Sequence, residues 1–113
     1  MKEGRYRGTK AYSLIFSELI TAAKYRGTIT YQEIAKIIGL PLQGNYLGSE
    51  VGALLGEISE DEVENGRPML SAIAVDTKGK PGKGFYPWAK KLKRQKNETD
   101  EVFWKNECKA VYE

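Results

Sequence analysis

Apolar positions in the first half of the chain recur at intervals of three and four residues, which is the spacing of one face of an α-helix. The pattern predicts a first helix from about Thr9 to Lys24, a second from Tyr31 to Ile38, and a third from Asn45 or Tyr46 to Val63. A short extended piece at Thr28-Ile29 precedes the second helix. Three helices are therefore expected before residue 65.

The second helix carries the clearest start and stop signals in the chain. Thr30 and Glu33 are spaced as a capping box, in which the threonine hydroxyl accepts from the Glu33 amide and the glutamate carboxylate accepts from the Thr30 amide. Gly39 supplies a left-handed stop, and Pro41 follows just past the end. A short, tightly bounded helix of this kind commonly opens a helix-turn-helix.

The third predicted helix contains a glycine at every fourth position, namely Gly48, Gly52 and Gly56. Each glycine costs about 1 kcal/mol of helix stability relative to alanine. Because the three share one helical face, they favour either the close approach of another backbone to that face or an irregular, broken element. The sequence leaves both alternatives open.

The second half of the chain begins with a largely buried strand, predicted over residues 69–75. A glycine- and lysine-rich loop follows at residues 76–84, and Phe85-Tyr86 would begin the return strand of a β-hairpin. Residues 87–96 predict a short basic helix. The hairpin would thus present its lysines at its tip.

A final helix is predicted over residues 100–112, with Thr99 or Asp100 as its cap. The resulting order of elements is that of a winged helix. The predicted fold class is α+β, a winged helix-turn-helix of three helices plus a β-hairpin wing, with two additional C-terminal helices. No repeat or linker divides the chain, so we expect a single domain over residues 1–113, with a core at about 9–86 and a helical extension at about 87–113.

Composition narrows the function classes. The chain has no histidine and one cysteine, Cys108, so it lacks a Ser-His-Asp triad, a Cys-His pair, an ordinary zinc site and an internal disulfide. We expect Cys108 to be a packing residue and the protein to be non-enzymatic, without cofactor or metal.

The sequence has no run of about 18 apolar residues and no apolar N-terminal stretch, which predicts a cytoplasmic protein outside membranes.

Charge is unevenly distributed along the chain. Residues 67–97 carry nine Lys or Arg against one acidic residue, whereas residues 32–66 carry one against seven. The basic block predicts a surface that faces an anionic partner, for which we expect duplex DNA. The residues expected to contact phosphates are Lys78, Lys80, Lys83, Lys90, Lys91, Lys93 and Arg94. The residues expected near bases, at the start of the third helix, are Gln43, Asn45, Tyr46 and Ser49.

The acidic residues of the third helix leave an alternative open. Carboxylates from Glu57 to Glu64 would repel phosphate unless they point away from it. The acidic end of this helix, or its glycine face, could instead join the protein to a larger bacterial or phage assembly. A protein-interaction module is therefore the second hypothesis, and the salt dependence of DNA binding separates it from the first.

Residues 30–39, Thr-Tyr-Gln-Glu-Ile-Ala-Lys-Ile-Ile-Gly, resemble the Thr-Tyr-Gly-Glu-Ile-Ala…Ile-Gly segment of the alkylguanine-DNA alkyltransferases and alkyltransferase-like proteins. The resemblance extends over about residues 10–92 and implies a winged-helix DNA-binding domain. Where that family has its Pro-Cys-His-Arg active site, this chain has Pro68 followed by Met-Leu-Ser. Alkyl transfer to a thiolate is therefore excluded, and the resemblance implies architecture without this chemistry.

Overall fold

A computed structural model describes residues 5–40 and 45–113, with the side chains of residues 45–47 outside the description. The regular elements, in chain order, are α1 (Lys10–Lys24), β1 (Ile29–Thr30), α2 (Tyr31–Ile38), α3 (Asn45–Glu64), a 3₁₀ helix (Leu70–Ile73), β2 (Ala74–Val75), α4 (Phe85–Lys91) and α5 (Asp100–Tyr112). Helices thus dominate the described residues, and none of these helices is long and apolar enough to cross a membrane.

The predicted helices of the first half are confirmed. Thr9 caps α1 by accepting from the amide of Tyr12. At the start of α2 the Thr30 hydroxyl accepts from the Glu33 amide and the Glu33 carboxylate accepts from the Thr30 amide, each at 3.1 Å. Gly39 ends α2 with a φ of 79°, the left-handed conformation that glycine adopts without a Cβ clash. Local capping chemistry accounts for these boundaries.

The predicted β-hairpin wing is wrong, and with it the winged-helix fold class. Leu70–Ile73 wind into a 3₁₀ helix, which leaves only Ala74–Val75 extended. This pair lies parallel to Ile29–Thr30, with Ile29 opposite Ala74 and Thr30 opposite Val75. The expected return strand is instead the start of α4. The described residues therefore form a helical fold with a two-stranded parallel sheet of two residues per strand.

The physical reason for this correction is burial on all sides. Residues 69–75 are all buried, and a short, continuous apolar run has no period that separates a strand from a buried helical turn. In α4 the buried side chains are Phe85 and Ala89, one helical turn apart. Pro87 is accommodated in the first turn of that helix, where no intrahelical amide donor is needed. The basic helix therefore begins at Phe85 and ends at Lys91, five residues before the predicted end.

Two clusters of buried side chains hold the helices together. The larger one joins α1, α2 and α3, and its largest fully buried members are Ile15, Leu19, Ile34, Val51, Leu54, Ile58 and Ile73. The smaller one joins the start of the 3₁₀ helix to α4 and α5 through Met69, Ala72, Phe85, Ala89 and Phe103. Both clusters meet at the 3₁₀ helix, which is consequently the central element of the described fold.

The final helix begins and ends where the sequence predicted. Thr99 caps α5 by accepting from the amide of Val102 at 3.3 Å. Side chains of α5 then bond to distant backbone: the Trp104 indole donates to the carbonyl of Ala72 at 2.8 Å, and the Tyr112 hydroxyl donates to that of Gly27 at 2.9 Å. These contacts fix α5 against both the 3₁₀ helix and the end of α1.

Candidate functional site

Carboxylates of α3 are bound by the segment that precedes α1. The Glu57 carboxylate accepts hydrogen bonds from the backbone amides of Tyr6 (3.1 Å) and Arg7 (3.0 Å). The Arg7 guanidinium forms ion pairs with Glu60 and, at 3.0 Å, with Asp61. The chain before α1 is thus held along α3 by acidic residues of that helix.

Further donors reach the carboxylates at both ends of the same helix. The Glu50 carboxylate accepts hydrogen bonds from the Tyr6 hydroxyl and the Arg5 guanidinium. These two donors hold the pKa of Glu50 below its usual range. Near the other end, Arg67 forms a bidentate pair with Glu62, whose residue is 4% exposed. These carboxylates therefore have internal cationic or hydroxyl partners.

The lysine-rich segment after β2 is a loop organised by Asp76. The Asp76 Oδ1 atom accepts from the amides of Lys78 (2.8 Å) and Lys80 (3.1 Å), and the Asp76 amide donates to the carbonyl of Lys80 at 2.7 Å. The two amide donors lower the pKa of Asp76. This local turn directs Lys78, Lys80 and, further along, Lys83 to the exterior, where all three are exposed.

The remaining predicted lysines lie at the end of α4 and just beyond it. Lys90 is 3.9 Å from a carboxylate oxygen of Asp100, and the Lys91 ammonium lies 5.0 Å from the centre of the Trp88 ring. Lys93 has a φ of 64° and is exposed. An ammonium group over an aromatic face is held in place while it stays accessible to solvent.

Arg94 differs from the lysines, because its guanidinium is committed to the fold. It makes two hydrogen bonds to the buried carboxylate of Glu107, at 2.7 and 2.9 Å. Its hydrogen bonds to Glu107 raise its pKa further. The structure therefore assigns Arg94 to a structural ion pair rather than to the exposed basic surface.

Of the four residues that the sequence predicted near bases, three have side chains that the structure does not describe. Gln43 lies outside the described residues, and Asn45 and Tyr46 stand in the first turn of α3 with side chains outside the description. Ser49 is exposed and lines a groove. Only Ser49 among these four can therefore be placed relative to the lysines.

That groove, which we call the α3 groove, lies between one face of α3 and residues 81–88 and has a volume of about 1020 Å³. Gly48, Gly52 and Gly56 line one side. Aromatic side chains and Lys83 line the other, and its aromatic residues are Tyr31, Phe85, Tyr86 and Trp88. The groove thus combines a row of three glycines on α3, four aromatic residues and an ammonium group.

The glycine row sits in an unbroken helix, so the irregular alternative is wrong. At Gly56 the Trp88 indole takes the place of a side chain, and its Nε1 atom donates to the Gly56 carbonyl at 2.9 Å. A Cβ atom at Gly48 or Gly52 would meet no atom of the described residues within 4 Å. Nothing in the described residues packs on these two glycines, which leaves that part of the face open.

The sequence did not predict the aromatic side of this groove. Trp88 packs against the smaller buried cluster and also borders the groove, where it bonds to α3. Gly82 lies against Tyr31, whose hydroxyl accepts from the Gly82 amide at 3.0 Å. The row of glycines on α3 was the sequence signal for a groove. It does not show that the segment about 30 residues later lies opposite α3.

Two observations concern metal-ligating side chains and the single cysteine in the described part of the chain. No group of three or more His, Cys, Asp or Glu side chains is placed there to hold a metal ion. Cys108 is half-buried, and burial, followed by the neighbouring charge of Glu107, raises its pKa to about 11. A thiol with a raised pKa is a poor nucleophile at neutral pH. Cys108 therefore packs, as expected, against the 3₁₀ helix.

Comparisons with known protein families, with curated proteins and with solved structures give no match for this chain.

Proposed function

We propose that this protein binds DNA through the phosphate backbone, using an exposed lysine surface formed by the loop after β2 and the end of α4. We define the lysine surface as Lys78, Lys80, Lys83, Lys90, Lys91 and Lys93. All six are exposed, and they come from two consecutive segments of the chain. Phosphates are the anionic groups that such a surface would neutralise, with release of bound counterions.

One observation carries the proposal: carboxylates of α3 are bound by the segment before α1, whereas the six lysines are exposed and, within the described residues, only Lys90 lies within 4 Å of a carboxylate. Glu57, Glu60 and Asp61 are engaged by Tyr6 and Arg7. Lys78 and Lys83 are exposed and form no ion pair within the described residues. Because an ion pair has a weaker field at a distance than an isolated charge, Arg7 reduces the negative potential of Glu60 and Asp61, whereas Lys78 and Lys83 present positive charge without such a partner in the described residues.

The same pairing weakens the hypothesis of an acidic protein-docking end on α3. A carboxylate that already accepts from backbone amides and a guanidinium would have to give up those bonds to bind a basic partner. The N-terminal segment already occupies this position. We therefore favour DNA binding over an interaction through the acidic end of the helix.

The test is fluorescence anisotropy with a labelled duplex of random sequence at salt concentrations from about 50 to about 200 mM. If about four phosphates are contacted, the association constant should fall roughly a hundredfold over that range. A variant carrying Lys78→Ala, Lys80→Ala and Lys83→Ala should bind at least about tenfold more weakly and show a shallower salt slope.

The matched control carries Lys10→Ala, Lys24→Ala and Lys36→Ala, which remove the same charge from exposed positions on α1 and α2. This variant should lose much less affinity than the first. Equal losses in the two variants would mean that only net charge matters and that no lysine surface exists. Absence of binding at the lowest salt would refute the proposal itself.

A further inference from the structure

We propose that the α3 groove accepts unpaired nucleotides, so that the protein binds DNA with a single-stranded segment more tightly than a fully paired duplex. This inference rests on the proposed DNA binding and adds a substrate class to it. It is carried by the shape of the groove, by its aromatic wall and by the charge along its edge.

The open glycine face is the first observation. Gly52 lies within a regular helix, so its backbone conformation does not require glycine. Within the part of the chain that the structure describes, no packed neighbour would exclude a Cβ atom at Gly52, and the same is true of Gly48. The missing side chains at these two positions lower the surface of α3 locally, which leaves room for a planar group beside the helix.

The opposite wall supplies aromatic surface. Tyr86 and Trp88 are partly exposed and line the groove. Trp88 is fixed in place by its hydrogen bond to Gly56 and by Lys91 over its ring. Aromatic side chains next to lysines are the pattern with which proteins bind single strands, because every base has a face that can stack.

Charge along the groove is mixed, with Arg7 and Lys83 against Glu57, Glu60 and Asp76. Four charged residues other than Lys83 line the groove, and each has a bonded partner: Arg7 pairs with Glu60, while Glu57 and Asp76 accept from backbone amides. Lys83 remains without an ion-pair partner in the described residues. A strand whose bases enter the groove would place its phosphates near this ammonium group.

The groove is large enough to hold more than one nucleotide. Its volume of about 1020 Å³ is at the upper end of the roughly 300–1,000 Å³ that small-molecule sites occupy. Bases inside a duplex are paired and stacked, so they do not reach such a groove unless the strand is unpaired. A fully paired duplex should therefore contact the lysine surface and leave the groove empty.

The first experiment uses the tryptophan of the groove as its reporter. The chain contains two tryptophans, so Trp104→Phe leaves Trp88 as the only one, and circular dichroism checks that this variant is folded. The probes are an oligo-dT single strand, a duplex with the same number of phosphates, and inorganic polyphosphate. Oligo-dT should quench Trp88 fluorescence strongly, whereas the duplex and polyphosphate should bind with much weaker quenching, because they reach only the Lys91 ammonium over the ring.

The second experiment fills the groove. Gly52→Leu places a side chain in open space and should preserve the fold, while Ser17→Leu adds the same side chain on an exposed position of α1 as the control. Gly52→Leu should weaken oligo-dT binding at least about tenfold and leave duplex binding unchanged. Ser17→Leu should alter neither.

The outcomes separate this inference from the proposed function. If oligo-dT and duplex bind equally, Trp88 stays silent and Gly52→Leu has no effect, the groove does not take nucleotides and the lysine surface alone binds DNA. If quenching by polyphosphate matches that by oligo-dT, the groove responds to charge and not to bases, which also overturns the inference. If neither probe binds at low salt, the proposed function fails as well.

Discussion

Arg94 and Glu107 form a bidentate ion pair that joins the end of the basic segment to α5, with nitrogen–oxygen distances of 2.7 and 2.9 Å. The same carboxylate accepts from the backbone amide of Met69 at 2.9 Å. Glu107 is only 4% exposed. One buried carboxylate thus holds together the residues after α4, the start of the 3₁₀ helix and the final helix.

Removal of Arg94 should destabilise the fold. Arg94→Ala leaves the buried Glu107 carboxylate without its cation, and we expect the free energy of unfolding to fall by about 2 kcal/mol, since Arg94 is itself partly exposed. Lys90→Ala, which breaks an exposed contact, should change it by less than about 0.5 kcal/mol. Urea unfolding measures both. Equal stability of the two variants would contradict a structural role for the pair.

Two glycines of the groove should respond to alanine in opposite directions. At Gly82 a Cβ atom would lie 2.6 Å from Cε2 of Tyr31, so Gly82→Ala should destabilise the protein by about 1–3 kcal/mol. At Gly52 a Cβ atom meets no atom of the described residues within 4 Å and lies within a helix, so Gly52→Ala should stabilise the protein by up to about 1 kcal/mol. Thermal unfolding of the two variants is the measurement. Destabilisation by Gly52→Ala would show that the face is not open.

The loop that carries Lys78 and Lys80 should depend on the ionised form of Asp76. The folded pKa of Asp76 is lowered by the amides of Lys80 and Lys78, so the contribution to loop order is present above about pH 4 and is lost as pH falls through the folded pKa. Hydrogen exchange of those two amides, compared with their intrinsic rates, should show protection that decreases in acid.

Substitution of Asp76 separates the loop geometry from the acid response. Asp76→Ala removes the acceptor and should accelerate exchange of the Lys78 and Lys80 amides at neutral pH. Asp76→Asn retains a side-chain oxygen and should preserve part of the protection without the acid dependence. Identical exchange in Asp76→Ala and the unaltered protein would rule out the proposed role of this carboxylate in the loop.

Cys108 should be unreactive in the folded protein. Because burial raises its pKa to about 11, the thiolate fraction at pH 8 is small, and alkylation by iodoacetamide should be on the order of a hundredfold slower than in urea. The raised pKa also means that Cys108 favours the folded state below its ordinary pKa and that this contribution is lost as pH rises toward 11. Rapid alkylation of the native protein would contradict this placement.

Much of the helical structure follows from neighbours in the sequence. The capping box at Thr30 and Glu33, the left-handed Gly39 and the cap at Thr99 each act within four residues, so their consequences can be predicted without knowledge of the fold. The lysine-rich composition of residues 78–93 is equally visible in the sequence. These local signals were enough to predict the three opening helices, the final helix and a basic surface.

The remaining features depend on contacts between distant residues. Burial on all sides decides that Leu70–Ile73 form a 3₁₀ helix, and pairing across 45 residues sets Ile29 beside Ala74. The partners of Glu57 and Glu107 are likewise 50 and 38 residues away in sequence. Composition places lysines and carboxylates in the chain, but only the tertiary structure decides which carboxylates have internal hydrogen-bond or ion-pair partners, because that depends on which donors the fold brings within hydrogen-bonding distance.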